Sequence, residues 1–178
     1  MNGIKIRNVT PEDAGELVKI YDYYVANTAI SFEYVTPSVE EFRERIINIT
    51  KTHPYICAVK DGKILGYAYA SKFHPREAYK HCAETTIYLD VNEKKRGLGR
   101  LLYEELENRL KEIGIINLYA CIAYPTNTEE RDEHLDTNSP DFHAHMGYVK
   151  NGEFHKCGYK FNRWYDMIWM EKFIGTHD

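Results

Sequence analysis

The sequence predicts an α/β fold of the α+β kind: a mixed, mostly antiparallel central sheet of about six or seven strands flanked by helices. Helical and strand patterns alternate along the chain and end in a run of strands. Asp61-Gly62 joins two apolar runs with a dipeptide that accepts the positive φ angles of a tight hairpin, so at least one strand pair is antiparallel. A strand, a glycine turn, a long amphipathic helix and a further strand then follow one another as a crossover.

The elements read in order as follows. Ile4, Ile6 and Val9 mark a first strand. Thr10-Pro11-Glu12-Asp13 supplies a cap, a first-turn proline and acidic first-turn residues, so a helix runs to about Tyr24. Ser38-Val39-Glu40-Glu41 has capping-box spacing, and Phe42, Ile46 and Ile49 share one face of the helix it starts. Residues 55–59 and 64–70 form the hairpin, and residues 85–91 a further strand. Leu98, Leu101, Leu102, Leu106, Leu110 and Ile113 define the long helix, which stops near Gly114. Strand 116–123, a short helix over 139–145 ending at Gly147, renewed strand character at Tyr148 and Val149, and a last strand over 166–173 complete the set. No repeat or linker interrupts the 178 residues, so residues 1–178 read as one domain.

Composition narrows the function. The net charge is −4 and no face-length run of Lys or Arg occurs, which excludes the electrostatic footprint of a nucleic-acid binder and leaves a small molecule as the expected partner. The four cysteines form no CxxC pair and read as reduced core thiols. The N-terminus alternates like a strand where a secretory signal needs an apolar run, and no apolar stretch reaches membrane-spanning length, so a cytoplasmic protein without membrane attachment is expected. The acidic segment 126–137 lacks the Asp/Asn alternation and central Gly of a calcium loop and reads as solvated.

The chemistry centres on Lys94-Lys95-Arg96-Gly97-Leu98-Gly99-Arg100. Glycines between a strand and a helix let backbone N–H groups approach a ligand at the positive end of the helix dipole, an arrangement suited to phosphate. The alternative is a tight connection with solvated basic residues. A Walker A loop would need GxxxxGK[ST], and a dinucleotide fingerprint a third glycine where Leu102 stands. An anion-binding turn for a pyrophosphate remains, and coenzyme A carries one.

This stretch resembles the acyl-CoA motif [QR]xxGx[GA] of the GNAT superfamily of N-acetyltransferases, with Lys94 in the first position. Much of the chain is similar to the phosphinothricin and methionine sulfoximine acetyltransferase branch: Ile30-Ser31-Phe32-Glu33, Gly66-Tyr67-Ala68-Tyr69, Glu84-Thr85-Thr86-Ile87-Tyr88-Leu89 and Gly158-Tyr159-Lys160-Phe161-Asn162-Arg163-Trp164-Tyr165-Asp166. The resemblance implies acetyl-CoA as acyl-donor cosubstrate and direct transfer to a small amino-acid-like amine in a ternary complex. It implies cofactor contacts at Lys95, Arg96, Gly97, Leu98, Gly99, Arg100 and Leu101, at Asn138 and His145, and at main-chain N–H groups of Tyr88, Leu89 and Val91.

By the same resemblance Glu84 is the base and His143 the proton donor or pantetheine contact. An amine attacking a thioester must shed a proton, which a carboxylate of raised pKa can take; a strand-edge or salt-bridged glutamate is the alternative for Glu84, and a surface or capped helix histidine for His143 and His145. The acceptor falls to Phe32, Glu33, His74, Arg76, Glu77, Thr85, Thr86, Lys160, Arg163 and Tyr165, with Arg76 and Arg163 suited to a carboxylate and surface ion pairing the alternative for each. His143 and His145 point to different helix faces, so no metal site is expected. The resemblance also implies a homodimer, with the aromatic segment 161–169 as one possible contact. Acylation of peptide N-termini or polyamines, and a non-catalytic acyl-CoA sensor, are the alternative functions.

Overall fold

The computed structural model describes residues 3–93 and 97–177. Its elements are β1 (Lys5–Asn8), α1 (Ala14–Asn27), α2 (Val39–Thr50), β2 (Tyr55–Lys60), β3 (Lys63–Lys72), β4 (Cys82–Leu89), α3 (Leu98–Glu112), β5 (Asn117–Tyr124), α4 (Asn138–His145), β6 (Val149–Lys160) and β7 (Arg163–Phe173). The strands form one sheet in the order β1-β2-β3-β4-β5-β7-β6. Every neighbouring pair is antiparallel except β4 and β5.

Local chemistry explains the element ends. Ser38 caps α2, accepting from the Glu41 N–H at 3.2 Å while the Glu41 carboxylate accepts from the Ser38 N–H at 2.7 Å. The Thr10-Pro11 start gives a short 3-10 turn over Pro11–Asp13 before α1 proper. Asp61 and Gly62 both take positive φ at the β2–β3 hairpin.

Helices cover both faces. Leu17, Val18 and Val25 of α1 and Phe42 and Ile46 of α2 pack on Tyr55, Cys57 and Tyr67. On the other face Leu98, Leu102, Leu106 and Leu110 of α3 meet Ile56, Ala68, Leu118, Ala120 and Ile168. Alternate residues of each central strand therefore feed different cores, as the two-residue period of a strand requires. The cysteines correct one expectation: all four are free, but only Cys57 is buried, and Cys121 and Cys157 are exposed. Among the described residues no helix is long and apolar enough to cross a membrane.

Candidate active site

Strands β4 and β5 begin as parallel neighbours and then part. Their pairing covers Cys82 with Asn117, Ala83 with Leu118 and Glu84 with Tyr119. Past that rung β4 stays paired to β3 through Leu89, and β5 to β7 through Tyr124. The wedge between them opens into a cavity of about 570 Å³. A wider depression of about 900 Å³ lies around Pro54 and Arg109, between the end of α2 and α3, and gathers none of the site residues expected from the sequence.

Glu84 sits on the last shared rung and lines the cavity with Thr86 and Tyr69. It is half-buried, and its carboxylate has no hydrogen-bond or ion-pair partner among the described residues. Burial pushes its pKa up, with a smaller opposing pull from His74. Cys121 shares this wall; the residue is open to the cavity, but the protein packed around its sulfur still desolvates the thiol and pushes it up to about 12.

Thr85, next along β4, turns to the other face of the sheet. Its hydroxyl lies 3.2 Å from the Tyr148 hydroxyl and 3.3 Å from the Tyr119 carbonyl. Beside it the Tyr103 hydroxyl is 2.9 Å from His143 Nε2, and His143 Nδ1 is 2.8 Å from the Ser139 carbonyl. A carbonyl only accepts, so Nδ1 carries the proton and Nε2 accepts from Tyr103. Burial lowers the His143 pKa to about 4, and the bond to Ser139 opposes that fall. His143 is therefore neutral at neutral pH with its one N–H engaged, which speaks against the proton-donor half of its assignment as donor or pantetheine contact; it lines the cavity and accepts from the Tyr103 hydroxyl.

The cofactor expectations divide. Gly97 caps α3 at φ +72°, where a side chain would be strained. The first turn leaves the N–H groups of Leu98, Gly99 and Arg100 outside the helix ladder. The Leu101 N–H is used, donating to Gly97 O at 3.1 Å, so Leu101 is not an anion contact. A Cβ at Gly99 would stand 3.0 Å from the Phe142 ring, which explains the second glycine by helix packing. Arg100 is exposed and paired with Glu104. Lys94, Lys95 and Arg96 lie outside the described residues.

Strand parity also corrects the main-chain donors. Asp90 N–H donates to Leu65 O, so by the alternation of an antiparallel ladder the Tyr88 N–H faces β3 too, while those of Ile87 and Leu89 face the wedge. Val91 lies beyond β4 in an exposed 3-10 turn. The Asn138 amide is tied to Asp136, and Ser139 lines the cavity in its place. His145 is exposed, with Nδ1 on the Asp141 carbonyl.

Of the acceptor residues, Phe32, Thr85 and Thr86 line the cavity. Lys160 does not: its buried ammonium donates to the carbonyls of Val25, Thr28 and Ser31 at 2.7–2.9 Å, which uses all three protons to bind the end of α1. Arg163 pairs with Asp132 of the acidic segment, so that segment is docked and not simply solvated. His134 of the same segment stacks on Phe161 at 3.8 Å. Glu33 pairs with Arg45, and Tyr165 is buried behind Phe32. His74, Arg76 and Glu77 are exposed on the β3–β4 connection outside the wall. Sequence reasoning missed Tyr69, Tyr103, Cys157 and Met167 as lining residues, because each reads as an ordinary strand or helix position.

The acetyltransferase (GNAT) domain family model matches residues 6–169. The chain is 32% identical to a phosphinothricin N-acetyltransferase of Alcaligenes faecalis, over 97% of this chain and 84% of that protein. It is 31% identical to one of Streptomyces coelicolor, over 95% of each. A crystal structure of a GNAT superfamily phosphinothricin acetyltransferase from Sinorhizobium meliloti in complex with AcCoA superposes with a TM-score of 0.85 at 29% identity, covering 97% of this chain and 89% of that one.

Proposed function

The chain belongs to the acetyltransferase (GNAT) domain family of N-acetyltransferases, and from that premise we propose that it acetylates the amino group of a small amino-acid-like molecule by direct transfer from acetyl-CoA. The observation that carries this is Glu84 at the fork of β4 and β5: an unpartnered carboxylate of raised pKa facing the cavity where the strands separate.

Acetyl-CoA supplies the acyl group and a thiol leaving group. The free amides of the α3 first turn suit its pyrophosphate, and the Ile87 and Leu89 N–H groups suit the oxygen on which negative charge gathers. Glu84 takes the proton that the acceptor ammonium must lose before its nitrogen can form the new C–N bond. As the C–S bond breaks, the sulfur takes up the second proton that the nitrogen loses on becoming an amide; the Tyr103 hydroxyl, whose proton is given to His143 Nε2, does not supply it. The Cys121 thiol, with its pKa pushed up to about 12, is a poor nucleophile, which favours direct transfer over an acyl-enzyme.

The relatives' names support an acceptor of the phosphinothricin or methionine sulfoximine type. Four free cysteines suit a reducing, cytoplasmic setting. A homodimer is part of the same reading, with exposed Trp164 at the β6–β7 turn as one contact.

The test is thiol release from acetyl-CoA with a panel of phosphinothricin, methionine sulfoximine, ordinary amino acids, polyamines and N-terminal peptides. Release that depends on the amino-acid-like amines and collapses in Glu84→Gln is expected. Saturable acetyl-CoA binding with no release from any amine would overturn the transferase reading in favour of a sensor.

A further inference from the structure

We propose that Glu153, His155 and Asp166 form a binding site for one borderline divalent cation of the Zn²⁺ or Co²⁺ kind, on the β6–β7 hairpin. Each residue offers one ligand atom, and the three atoms lie within 4.8 Å of one another. His155 Nδ1 stands 3.3 Å from Asp166 Oδ2 and 3.7 Å from Glu153 Oε1. Ligands about 2.0–2.2 Å from a tetrahedral ion sit roughly 3.3–3.6 Å from each other, so both His155 pairs already stand near that spacing and the two carboxylates, within 4.8 Å, have at most about 1 Å to close.

The backbone builds this cluster. Register passes from Phe154 opposite Met167 to Gly158 opposite Tyr165, so four steps along β6 match two along β7. The bulge includes Lys156 in the left-handed region at φ +49°. The Lys156 N–H donates to Asp166 Oδ1 at 2.7 Å, closing the bulge over that buried carboxylate and leaving Oδ2 toward His155.

Glu153 is arranged alike. Its Oε2 accepts from Lys150, while Oε1 is the oxygen facing His155. Each carboxylate thus has one oxygen anchored and the other directed at a shared point, the support that ligating carboxylates require. One imidazole and two carboxylates suit Zn²⁺ or Co²⁺ better than Ca²⁺ or Mg²⁺, which take all-oxygen shells. Three protein ligands leave a position for water.

The competing account is a protonated His155 lying between two carboxylates as an ion pair. Titration of the chelator-treated full chain with Co²⁺ separates the two. The expected result is saturable visible absorption of low-coordinate Co²⁺ at a single equivalent, displaced by Zn²⁺. His155→Ala and Glu153→Gln should each weaken it by at least the roughly 10-fold that losing even an outer-shell partner causes. His53→Ala, outside the cluster, should leave it unchanged. The His155 ring is 74% exposed, so its removal should leave the metal-free melting temperature near wild type and exclude misfolding as the cause. No saturable absorption, or absorption unaffected by both cluster variants, would overturn the proposal.

Discussion

The two faces of β4 that wall the wedge, one residue apart, make opposite use of their polar groups. At Glu84 a half-buried carboxylate stands unpartnered with its pKa raised; at Thr85 two tyrosines, a threonine and a histidine are buried and hydrogen-bonded. The first wall holds a group ready to change charge, and the second a set held neutral. The lesson is that burial alone does not mark a proton carrier. Burial holds His143 well below its ordinary pKa, yet its neutral state is locked by partners on both nitrogens.

Replacing Glu84 by Gln tests the contrast most severely. Turnover with saturating acetyl-CoA should fall on the order of 10²- to 10⁴-fold, and the ascending limb of the pH–rate profile should vanish. Stability should move the other way. The unfolded carboxyl ionises near its ordinary 4.5 while the folded one keeps its proton to higher pH, so folding is penalised increasingly as pH rises through that window. Glu84→Gln should therefore melt no lower than wild type at neutral pH. A wild-type rate with wild-type pH dependence would dissolve the distinction between the walls.

The Thr85 wall should answer chiefly in stability. Tyr103→Phe leaves the buried His143 Nε2 without a donor and should remove about 1–3 kcal/mol, measured by urea unfolding, with a smaller loss of turnover than Glu84→Gln. An unfolded histidine takes a proton as pH falls below 6.5, whereas His143 resists until about 4, so wild-type stability should decline between those values and level off below. His143→Gln should flatten that decline.

Lys160 and Arg163 offer the mildest functional test. Both lie outside the cavity lining, so in Lys160→Met and Arg163→Ala the acceptor KM should match wild type wherever the variants are folded. Lys160→Met should unfold more easily, by about 2–3 kcal/mol, because three carbonyls lose a charged donor. A raised KM in either variant would return that residue to the acceptor site.

Much of this was legible beforehand where local chemistry determines structure. The Ser38 capping box, the Asp61-Gly62 hairpin and the Gly97 turn each act within a few residues, and each stands where the sequence puts it. Glu84 was singled out through the resemblance of its strand, and the structure puts it at the β4–β5 fork. The partners that decide roles were less legible, because they arrive from distant segments. Nothing near Lys160 announces the carbonyls of Val25, Thr28 and Ser31, and nothing near His143 announces Tyr103. The Leu101 and Tyr88 amides were misjudged for another reason: a motif names residues, whereas ladder parity decides which way an N–H points.

The brief contact between β4 and β5 has a mechanical meaning. Within the sheet, four strands on one side and three on the other share only three paired positions, with the α3 crossover and the Lys160 bonds to the end of α1 as ties outside it, so the sheet is two plates sharing a short hinge, with Glu84 at its edge. Beyond the hinge each plate presents a raw margin of backbone to the gap. Whatever enters between those margins lends the missing contacts and splints the plates together, so the occupied protein should resist heat and amide exchange along β4 and β5 more strongly than the empty one. A guest in that gap becomes part of the architecture.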